Sequence, residues 1–389
     1  MNAENQGDEN GGAGEPGDEA APIPRDLTAE PPTPPVAFSP LDESPAEHTP
    51  APGVGEQGLL AWLVTIVVLG LVGLLFGQQE LAALTALTGL FVAAQSADMD
   101  VRWKPLYYAL AWLVPVGGVA VFLSLIALIR DSGAPDPWRT VMLVLCIVSA
   151  GISALLAWRP VASAIARVMF RSEPPNHELR LVARLVVMGL MLAPPGWYAL
   201  RDTIMDMLAG PESALAKSSF GASLVGYVVL ALASVGFLIR RDLSNTLERL
   251  GIVALRYRDA IAVPVGLLLL VGLNAGSEWI QRTWFPGLYA SDTAISQAMA
   301  RGLGIPQVLA LGVTAGVGEE ITIRGALQPK VGIVLAALLF AALHVQYSWF
   351  GMLVIFGLGL VLGLVRQRSS TSAAMVVHAL YDILAVFST

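Results

Sequence analysis

The sequence predicts an all-α fold, a polytopic transmembrane helical bundle of about 10–11 spans that follows a disordered acidic N-terminal tail. Hydrophobic residues make up 55% of the 389 residues and charged residues only 14%. A soluble domain carries about 25% charged residues, so this composition is that of a membrane protein. The apolar residues also gather in runs of about 17–24, which can cross a hydrocarbon core of about 30 Å.

The N-terminal tail, residues 1–57, carries twelve acidic residues against Arg25 alone, and it is rich in proline and glycine. It shows no helical periodicity and cannot bury enough apolar surface to offset the entropy of ordering, so it is predicted to be disordered. The rest of the chain is basic, and nothing in it indicates nucleic-acid binding. The first apolar run is the expected uncleaved insertion signal.

Eleven apolar runs follow the tail, and each is a predicted helix. The run 80–96 is diluted by alanine and threonine, so it could be re-entrant or interfacial instead of spanning the membrane. The runs lie at 58–77, 80–96, 106–129, 139–158, 181–200, 219–239, 260–277, 304–326, 331–347, 350–366 and 372–387.

Basic residues concentrate in alternate loops, as the positive-inside rule requires. The pattern predicts a multi-pass protein of the plasma membrane with its N-terminus in the cytoplasm and its C-terminus outside, provided that 80–96 crosses. The inner loop 240–259 is predicted to form an amphipathic interfacial helix. The basic residues of the predicted inner loops are Arg102, Lys104, Arg159, Arg167, Arg171, Arg180, Arg240, Arg241, Arg249, Arg256, Arg258, Lys330, Arg366 and Arg368, whereas the outer loops carry acids such as Asp131, Asp136, Asp206, Glu212 and Asp292.

Two adjacent carboxylates, Glu319 and Glu320, lie inside an apolar run together with Arg324. An ionisable group in hydrocarbon costs roughly 2.5–3.5 kcal/mol, so such a cluster needs a use or a partner. On a helix, Glu320 and Arg324 share one face, which suits an ion pair. Glu319 lies about 100° around the helix and is free to act as a general base. The alternative is an ion pair that only locks two helices together.

Two of the four histidines lie in the later apolar runs, His344 after Phe340 and His378 four residues before Asp382. Asp382 can accept a proton from one ring nitrogen of His378 and so fix its orientation. His48, in the tail, and His177, in a basic loop, are expected to be solvated. Each intramembrane histidine alone could be a packing residue, but the combination with the paired glutamates favours catalysis.

The segments EEITIRG, FAALH and HALYD resemble, in this order, the three motifs of the CPBP intramembrane proteases, EExxxR, FxxxH and HxxxN or HxxxD. This family is the CAAX-processing and bacteriocin-processing or Abi group, and it includes the type II CAAX prenyl endopeptidases. The resemblance covers roughly residues 245–389. It implies a C-terminal peptidase core at 219–389, preceded by N-terminal transmembrane helices of unknown role at 58–200.

The resemblance also implies a role for each motif residue. Glu319 would activate the attacking water, and His344 would position or polarise it. His378 and residue 382 would stabilise the tetrahedral oxyanion.

Glu320 and Arg324 would support the site. Many family members have asparagine where this chain has Asp382. An ionised aspartate cannot donate a hydrogen bond to an oxyanion. Asp382 is therefore assigned to the orientation of His378 or to a metal ion.

Zinc is a candidate cofactor, since Glu319, His344 and His378 could supply the three protein ligands that catalytic zinc prefers. No HExxH pair occurs, so these ligands would have to converge from three helices. The alternative, which the resemblance also allows, is a metal-free glutamate base that acts with two histidines.

The predicted function is an intramembrane endopeptidase that hydrolyses a peptide bond of a membrane-associated protein or peptide. Its expected partners are that substrate and the lipid bilayer. A proton-coupled transporter that uses the glutamates and histidines as a relay is one alternative, although no internal repeat is found. A non-catalytic membrane scaffold is another. The sequence does not identify the substrate, its prenylation or the oligomeric state.

Overall fold

The structure is a computed structural model that describes residues 55–131, 137–171, 175–208, 219–257 and 259–388. The predicted acidic tail lies outside these residues up to position 54. In the described part of the chain, the regular secondary structure is helical apart from an isolated bridge between Phe237 and Arg241, and turns connect the helices. The helices are α1 Glu56–Leu75, α2 Gln79–Met99, α3 Lys104–Ala111, α4 Leu113–Asp131, α5 Pro137–Leu156, α6 Arg159–Phe170, α7 His177–Leu208, α8 Phe220–Ser234, α9 Leu243–Leu250, α10 Asp259–Trp284, α11 Pro286–Ala300, α12 Ile305–Glu320, α13 Gln328–Ala342, α14 Trp349–Arg368 and α15 Thr371–Ser388.

The predicted all-α membrane fold is confirmed. Within the described residues, nine helical segments are long and apolar enough to cross a membrane, and every predicted apolar run lies mostly in a helix. The eleven runs give nine segments for two reasons. The run 219–239 forms only the 15 residues of α8, and the runs 304–326 and 331–347 belong to one helical stretch, Ile305–Ala342.

That stretch is bent and does not form one straight span. A π-helical segment, Ile321–Leu327, joins α12 to α13, and Gly332 has a non-helical backbone with φ of 80°. The Arg324 guanidinium carbon lies 5.0 Å from the centre of the Phe340 ring. These residues are sixteen apart, about 24 Å along a straight helix, so the chain must turn between them. The turn makes α13 a separate arm that returns beside the π-helical segment.

The run 80–96 forms a full helix, α2, and it is the most buried of the nine segments. It packs against α1, α3, α7 and α8. Thr85 and Thr88 are buried in it, and their hydroxyls donate to the carbonyls of Leu81 and Leu84 one turn earlier. Both threonines, together with Ala93 and Ala94, therefore face protein, where small side chains permit close packing, whereas Ala83 and Ala86 are exposed.

His177 is buried, with 6% of its surface exposed, so the expectation that it is solvated was wrong. Its ring Nδ1 lies 2.6 Å from Asp98 Oδ1, and its Nε2 lies 3.1 Å from the Tyr108 hydroxyl. Asp98 also accepts from the backbone N–H groups of His177 and Glu178. The carboxylate therefore caps α7 and ties it to α2, a contact between residues too distant in sequence to be foreseen.

The predicted amphipathic helix at 240–259 is shorter than expected. It comprises only α9, which is capped at its start by Asp242 and ends at Gly251 in the left-handed conformation with φ of 70°. The glycine lets the chain turn toward α15, and the Gly251 carbonyl accepts from the Thr371 backbone N–H at 3.0 Å. This loop thus anchors the start of α15, the helix that carries His378.

Candidate active site

Glu320 is the last residue of α12, and its carboxylate is fully buried together with the Arg324 guanidinium. Arg324 Nε lies 3.2 Å from Glu320 Oε2. The intervening π-helical turn is wider than an α-helical one, a distortion that often occurs at functional sites. The face of the guanidinium lies over the Phe340 ring, which adds a cation–π contact. Glu320 is therefore neutralised within the bundle.

The other oxygen of Glu320 contacts His378. Glu320 Oε1 lies 3.1 Å from His378 Nδ1, and His378 Nε2 lies 3.5 Å from Asp382 Oδ2. The first distance is a hydrogen bond, whereas the second is an ion-pair distance that is long for one. Glu320 thus holds the ring, and the Nε2 side of His378 keeps some freedom to meet another acceptor.

Glu319, unlike Glu320, contacts neither an arginine nor a histidine through a hydrogen bond or ion pair among the described residues. Its Oε2 atom is buried, and no hydrogen-bond partner for it occurs among the described residues. A buried polar atom without a partner costs about 1–3 kcal/mol, and such atoms mark places where water or a ligand is expected. Glu320 Oε2 also lacks a hydrogen bond of regular geometry, but it forms an ion pair with Arg324, and Oε1 bonds to His378. Glu319 has neither contact among the described residues, so the adjacent glutamates have different surroundings.

His344 lies in the turn after α13, two residues beyond the end of the helix, although the predicted apolar run 331–347 continues past it. Its Nδ1 lies 2.7 Å from the Phe340 carbonyl oxygen. Because a carbonyl can only accept, Nδ1 carries the proton and Nε2 of a neutral ring offers a lone pair. The Phe340 ring lies 4.7 Å from the His344 ring and 6.0 Å from the His378 ring, so it lies against both histidines.

The turn that carries His344 is fastened by Asp292 of α11. Asp292 Oδ1 accepts from the Ser348 backbone N–H at 2.8 Å, and Oδ2 accepts from the Ser348 hydroxyl and from Gln281 Nε2, both at 2.7 Å. Ser348 in turn caps the start of α14. The sequence placed Asp292 in an outer loop, whereas in the structure it lies in α11 with only 8% of its surface exposed. Its carboxylate fixes the position of the histidine.

Glycines bring α12 against α15. A Cβ atom at Gly316 would lie 2.7 Å from the Met375 carbonyl oxygen and from the Ala379 nitrogen, and one at Gly312 would lie 2.8 Å from the Ala379 carbonyl oxygen. Gly312 and Gly316 form the GxxxG spacing that permits close approach of helix backbones in membranes. This contact places Glu320 beside His378.

Two further residues at the site lie outside the predicted set. Phe340 contacts Arg324 and both histidines through its ring. Its position four residues before His344 could have indicated this role from the sequence. Tyr227 of α8 packs its ring on Gly318, where a Cβ would lie 2.8 Å from the ring, directly before the glutamates. No pattern in the sequence indicated Tyr227, because it lies in a featureless apolar run.

The candidate ligands do not form a metal site. Among the described residues, no three side chains of the types histidine, cysteine, aspartate and glutamate converge closely enough to hold a metal ion. His378, one of the three candidates, faces carboxylates with both ring nitrogens. The set of Glu319, His344 and His378 therefore does not fit zinc, and the chemistry is derived from the side chains alone.

Comparison with known proteins finds a similarity to a protein family in this part of the chain. Residues 301–384 match the model of the family described as type II CAAX prenyl endopeptidase Rce1-like. All six predicted site residues lie inside that match, which confirms the resemblance to this family of membrane proteases. The matched segment is shorter than the expected 245–389.

A curated relative is the uncharacterized protein YpbD of Bacillus subtilis (strain 168). It is 28% identical over 164 residues, which is 41% of this chain and 82% of YpbD. No solved structure matches the chain.

Proposed function

We propose, on the premise that residues 301–384 are an Rce1-like segment, that this protein is an intramembrane endopeptidase. It would hydrolyse a peptide bond of a membrane-associated protein or peptide with a water molecule that Glu319 activates. The observation that carries the proposal is that two glutamates adjacent in sequence have different contacts. Glu320 is neutralised by Arg324 and His378, whereas Glu319 keeps a buried oxygen without a partner among the described residues.

The first step is attack of water on the scissile carbonyl carbon. Glu319 accepts one proton from the water, and the water oxygen forms a bond to the carbon. The lone pair on His344 Nε2 can accept a hydrogen bond from the same water and orient it. The carbonyl oxygen then carries the negative charge of the tetrahedral intermediate.

The charge on this oxygen needs a positive or hydrogen-bond-donating partner. His378 suits this role, because Glu320 holds its Nδ1 and orients the ring, as a carboxylate does in a catalytic triad. The Nε2–H group is only loosely engaged by Asp382 at 3.5 Å, so it can turn toward the oxyanion.

The second step breaks the carbon–nitrogen bond. The protonated Glu319 returns its proton to the leaving amine, the oxyanion collapses to a carboxyl group, and the site regains its starting protonation. Arg324 and Phe340 touch no reacting atom in this scheme. They position Glu320 and the two imidazoles.

Replacement of Glu319 tests the proposal. Glu319→Gln keeps the shape of the side chain but removes the base, so we expect peptide cleavage to fall by roughly 10²–10⁴-fold. The full chain would be reconstituted in lipid nanodiscs with a library of membrane-anchored peptides, and new termini would be identified by mass spectrometry.

Glu248→Gln is the matched control, since Glu248 is an exposed glutamate of α9 outside the site. It should cleave like the unmodified protein. If Glu319→Gln cleaves equally well, Glu319 is not the base. If neither form cleaves any peptide but Glu319→Gln alters folding or partner binding, the protein is a scaffold and not an enzyme.

A further inference from the structure

A small basic cavity lies outside the candidate peptidase site. It has a volume of about 20 Å³ and lies where α3, the α5–α6 junction and α7 meet. One water needs about 10–15 Å³, so the cavity holds about one such group, which is enough for a single oxygen of a larger anion at its mouth. Its lining residues are Tyr108, Ala111, Trp112, Ala157, Arg159 and Arg184. None of the six belongs to the segment that matches the peptidase family.

The cavity is cationic. Arg184 is only 5% exposed, and it bonds through Nε to the Leu156 carbonyl at 3.0 Å and through its side chain to Tyr107. Its NH1 group is buried and has no hydrogen-bond partner in the described part of the chain. The Arg159 guanidinium lies 3.3 Å from the centre of the Tyr108 ring. A buried cation with an unused donor calls for an anion, and no acidic side chain is among the lining residues.

The opposite side of Tyr108 is fixed. Its hydroxyl lies 3.1 Å from His177 Nε2, and His177 is held by Asp98. The Tyr108 ring is therefore fixed in position, and its cation–π contact orients the Arg159 guanidinium. The two arginines face the cavity in a preformed arrangement, which is the condition for selective recognition of a phosphate.

An apolar groove continues from the basic cavity. It has a volume of about 350 Å³, shares Trp112 and Ala157 with the cavity, and is lined further by Pro115, Val116, Val119, Ala120, Leu123 and Ala154. From Trp112 to Leu123 the helix rises about 16 Å. That length is close to half of a hydrocarbon core of about 30 Å, the depth of one leaflet.

We infer that this composite site binds one anionic glycerophospholipid, with its phosphate at Arg159 and Arg184 and one acyl chain in the groove along α4. A free phosphate ion would leave the groove unused, and a lipid without an anionic group would leave Arg184 unpaired. Trp112 and Trp158 flank the site and are 56% and 64% exposed, as tryptophans at the level of lipid headgroups are. The site gives the N-terminal helices a lipid-binding function separate from peptide hydrolysis.

Native mass spectrometry of the full chain, released from detergent, tests this inference. Phosphatidylglycerol should remain bound as one molecule per chain and should be retained more strongly than phosphatidylcholine, because the choline cation offsets the charge of the phosphate. Arg159→Gln should weaken retention of phosphatidylglycerol at least about fivefold. Arg171→Gln is the matched control, because Arg171 is an exposed arginine that does not line the cavity.

The proposed binding of an acyl chain in the groove is tested by Ala154→Leu, whose larger side chain would fill the groove. Ala164→Leu, on the exposed face of α6, is the matched control. Only the first should lower retention. A titration with inorganic phosphate separates the two possible phosphate sources: it should not raise the thermal stability of the protein as phosphatidylglycerol does.

The inference is overturned if both lipids are retained equally, if Arg159→Gln binds like the unmodified protein, or if inorganic phosphate stabilises the protein as much as the lipid. Arg184→Gln is a second variant for the same measurement. If it folds, it should no longer retain phosphatidylglycerol. Should it misfold, Arg159→Gln, whose side chain is exposed, still decides the result.

Discussion

At the scale of single residues, the site depends on how adjacent side chains are divided between partners. Glu319 and Glu320 differ by one helical step of about 100°, which is enough to direct them to different neighbours. Glu320 meets both Arg324 and His378, and Glu319 meets no hydrogen-bond partner at Oε2 in the described part of the chain. One carboxylate is thereby structural, and the other remains available for proton transfer.

Asp382 offers a test at this scale, since the family pattern has asparagine or aspartate at its position. If Asp382 only orients His378, Asp382→Asn should keep cleavage within about tenfold, because an amide oxygen can accept from Nε2. Asp382→Leu should lose more, since it offers no acceptor. The measurement is the cleavage rate of a membrane-presented peptide.

A loss in Asp382→Asn as large as that in Asp382→Leu would contradict this role. It would show that the negative charge at residue 382 is needed. The folded fraction of both variants, measured by size-exclusion chromatography in detergent, serves as the control.

The turn at His344 gives a second test. Asp292→Ala removes the acceptor for three hydrogen bonds, two to Ser348 and one to Gln281. Leaving buried donors unsatisfied costs about 1–3 kcal/mol each, so we expect a lower melting temperature and slower cleavage. Thermal unfolding in detergent and peptide cleavage would be measured together.

The exposed acid Glu248 again supplies a control, as Glu248→Ala should change neither quantity. Unchanged stability and cleavage in Asp292→Ala would show that the turn does not need this carboxylate. The site would then have to be held by α13 alone.

At the scale of helices, the contact of α12 with α15 determines whether the catalytic groups meet. Gly316→Leu would place side-chain atoms where the backbone of Met375 and Ala379 now lies, so α15 must move away. Since His378 lies on α15, it would separate from Glu320. We expect cleavage to fall at least about tenfold, as a misplacement of 1 Å can cost about 10²-fold.

Gly272→Leu is the matched control for this change. A Cβ at Gly272, in α10, meets no atom within 4 Å. Cleavage by Gly272→Leu should equal that of the unmodified protein. Normal cleavage by Gly316→Leu would mean that the close helix contact is not required.

Much of the helix arrangement could be predicted from the sequence. The eleven apolar runs and the spacings of four between Glu320 and Arg324 and between His378 and Asp382 are local patterns, and each lies in helical structure. The return of the chain at Gly332 could not be predicted, because only the backbone conformation reveals it. The burial of His177 and Asp292 was also missed, because their partners are distant in sequence.

At the scale of the whole molecule, the predicted topology remains to be tested. The asymmetry of basic residues predicts that the α9–α10 loop faces the cytoplasm and that the α1–α2 loop faces outward. Tyr257→Cys should therefore be labelled by a membrane-impermeant thiol reagent only after the cell is opened, and Gln79→Cys should be labelled in intact cells.

Both replaced positions are exposed, and the native Cys146 is fully buried, so it should give little background. The reverse labelling pattern would show that the protein has the opposite orientation in the membrane. Labelling of both positions from the same side would mean that an even number of helical segments crosses the membrane between them, as when the short helix α8 does not span it.

The N-terminal helices and the site-bearing helices share packing. The ring of Tyr227 on α8 lies against the segment before Glu319, and a Cβ at Gly189 of α7 would lie 2.5 Å from Leu339 of α13. A lipid held between α3, α4 and α7 would therefore act on the same bundle that forms the site. The predicted ranges 58–200 and 219–389 contribute to one core.

Comparative proteomics of cell membranes tests the central claim most directly, because it detects cleavage of any membrane protein in the cell, whatever the substrate is. Membranes would be taken from cells that contain the unmodified protein, Glu319→Gln or Glu248→Gln, and new protein termini would be compared. We expect a set of termini that occurs in cells with the unmodified protein and with Glu248→Gln but not in cells with Glu319→Gln. The same termini in all three would show that Glu319 performs no hydrolysis.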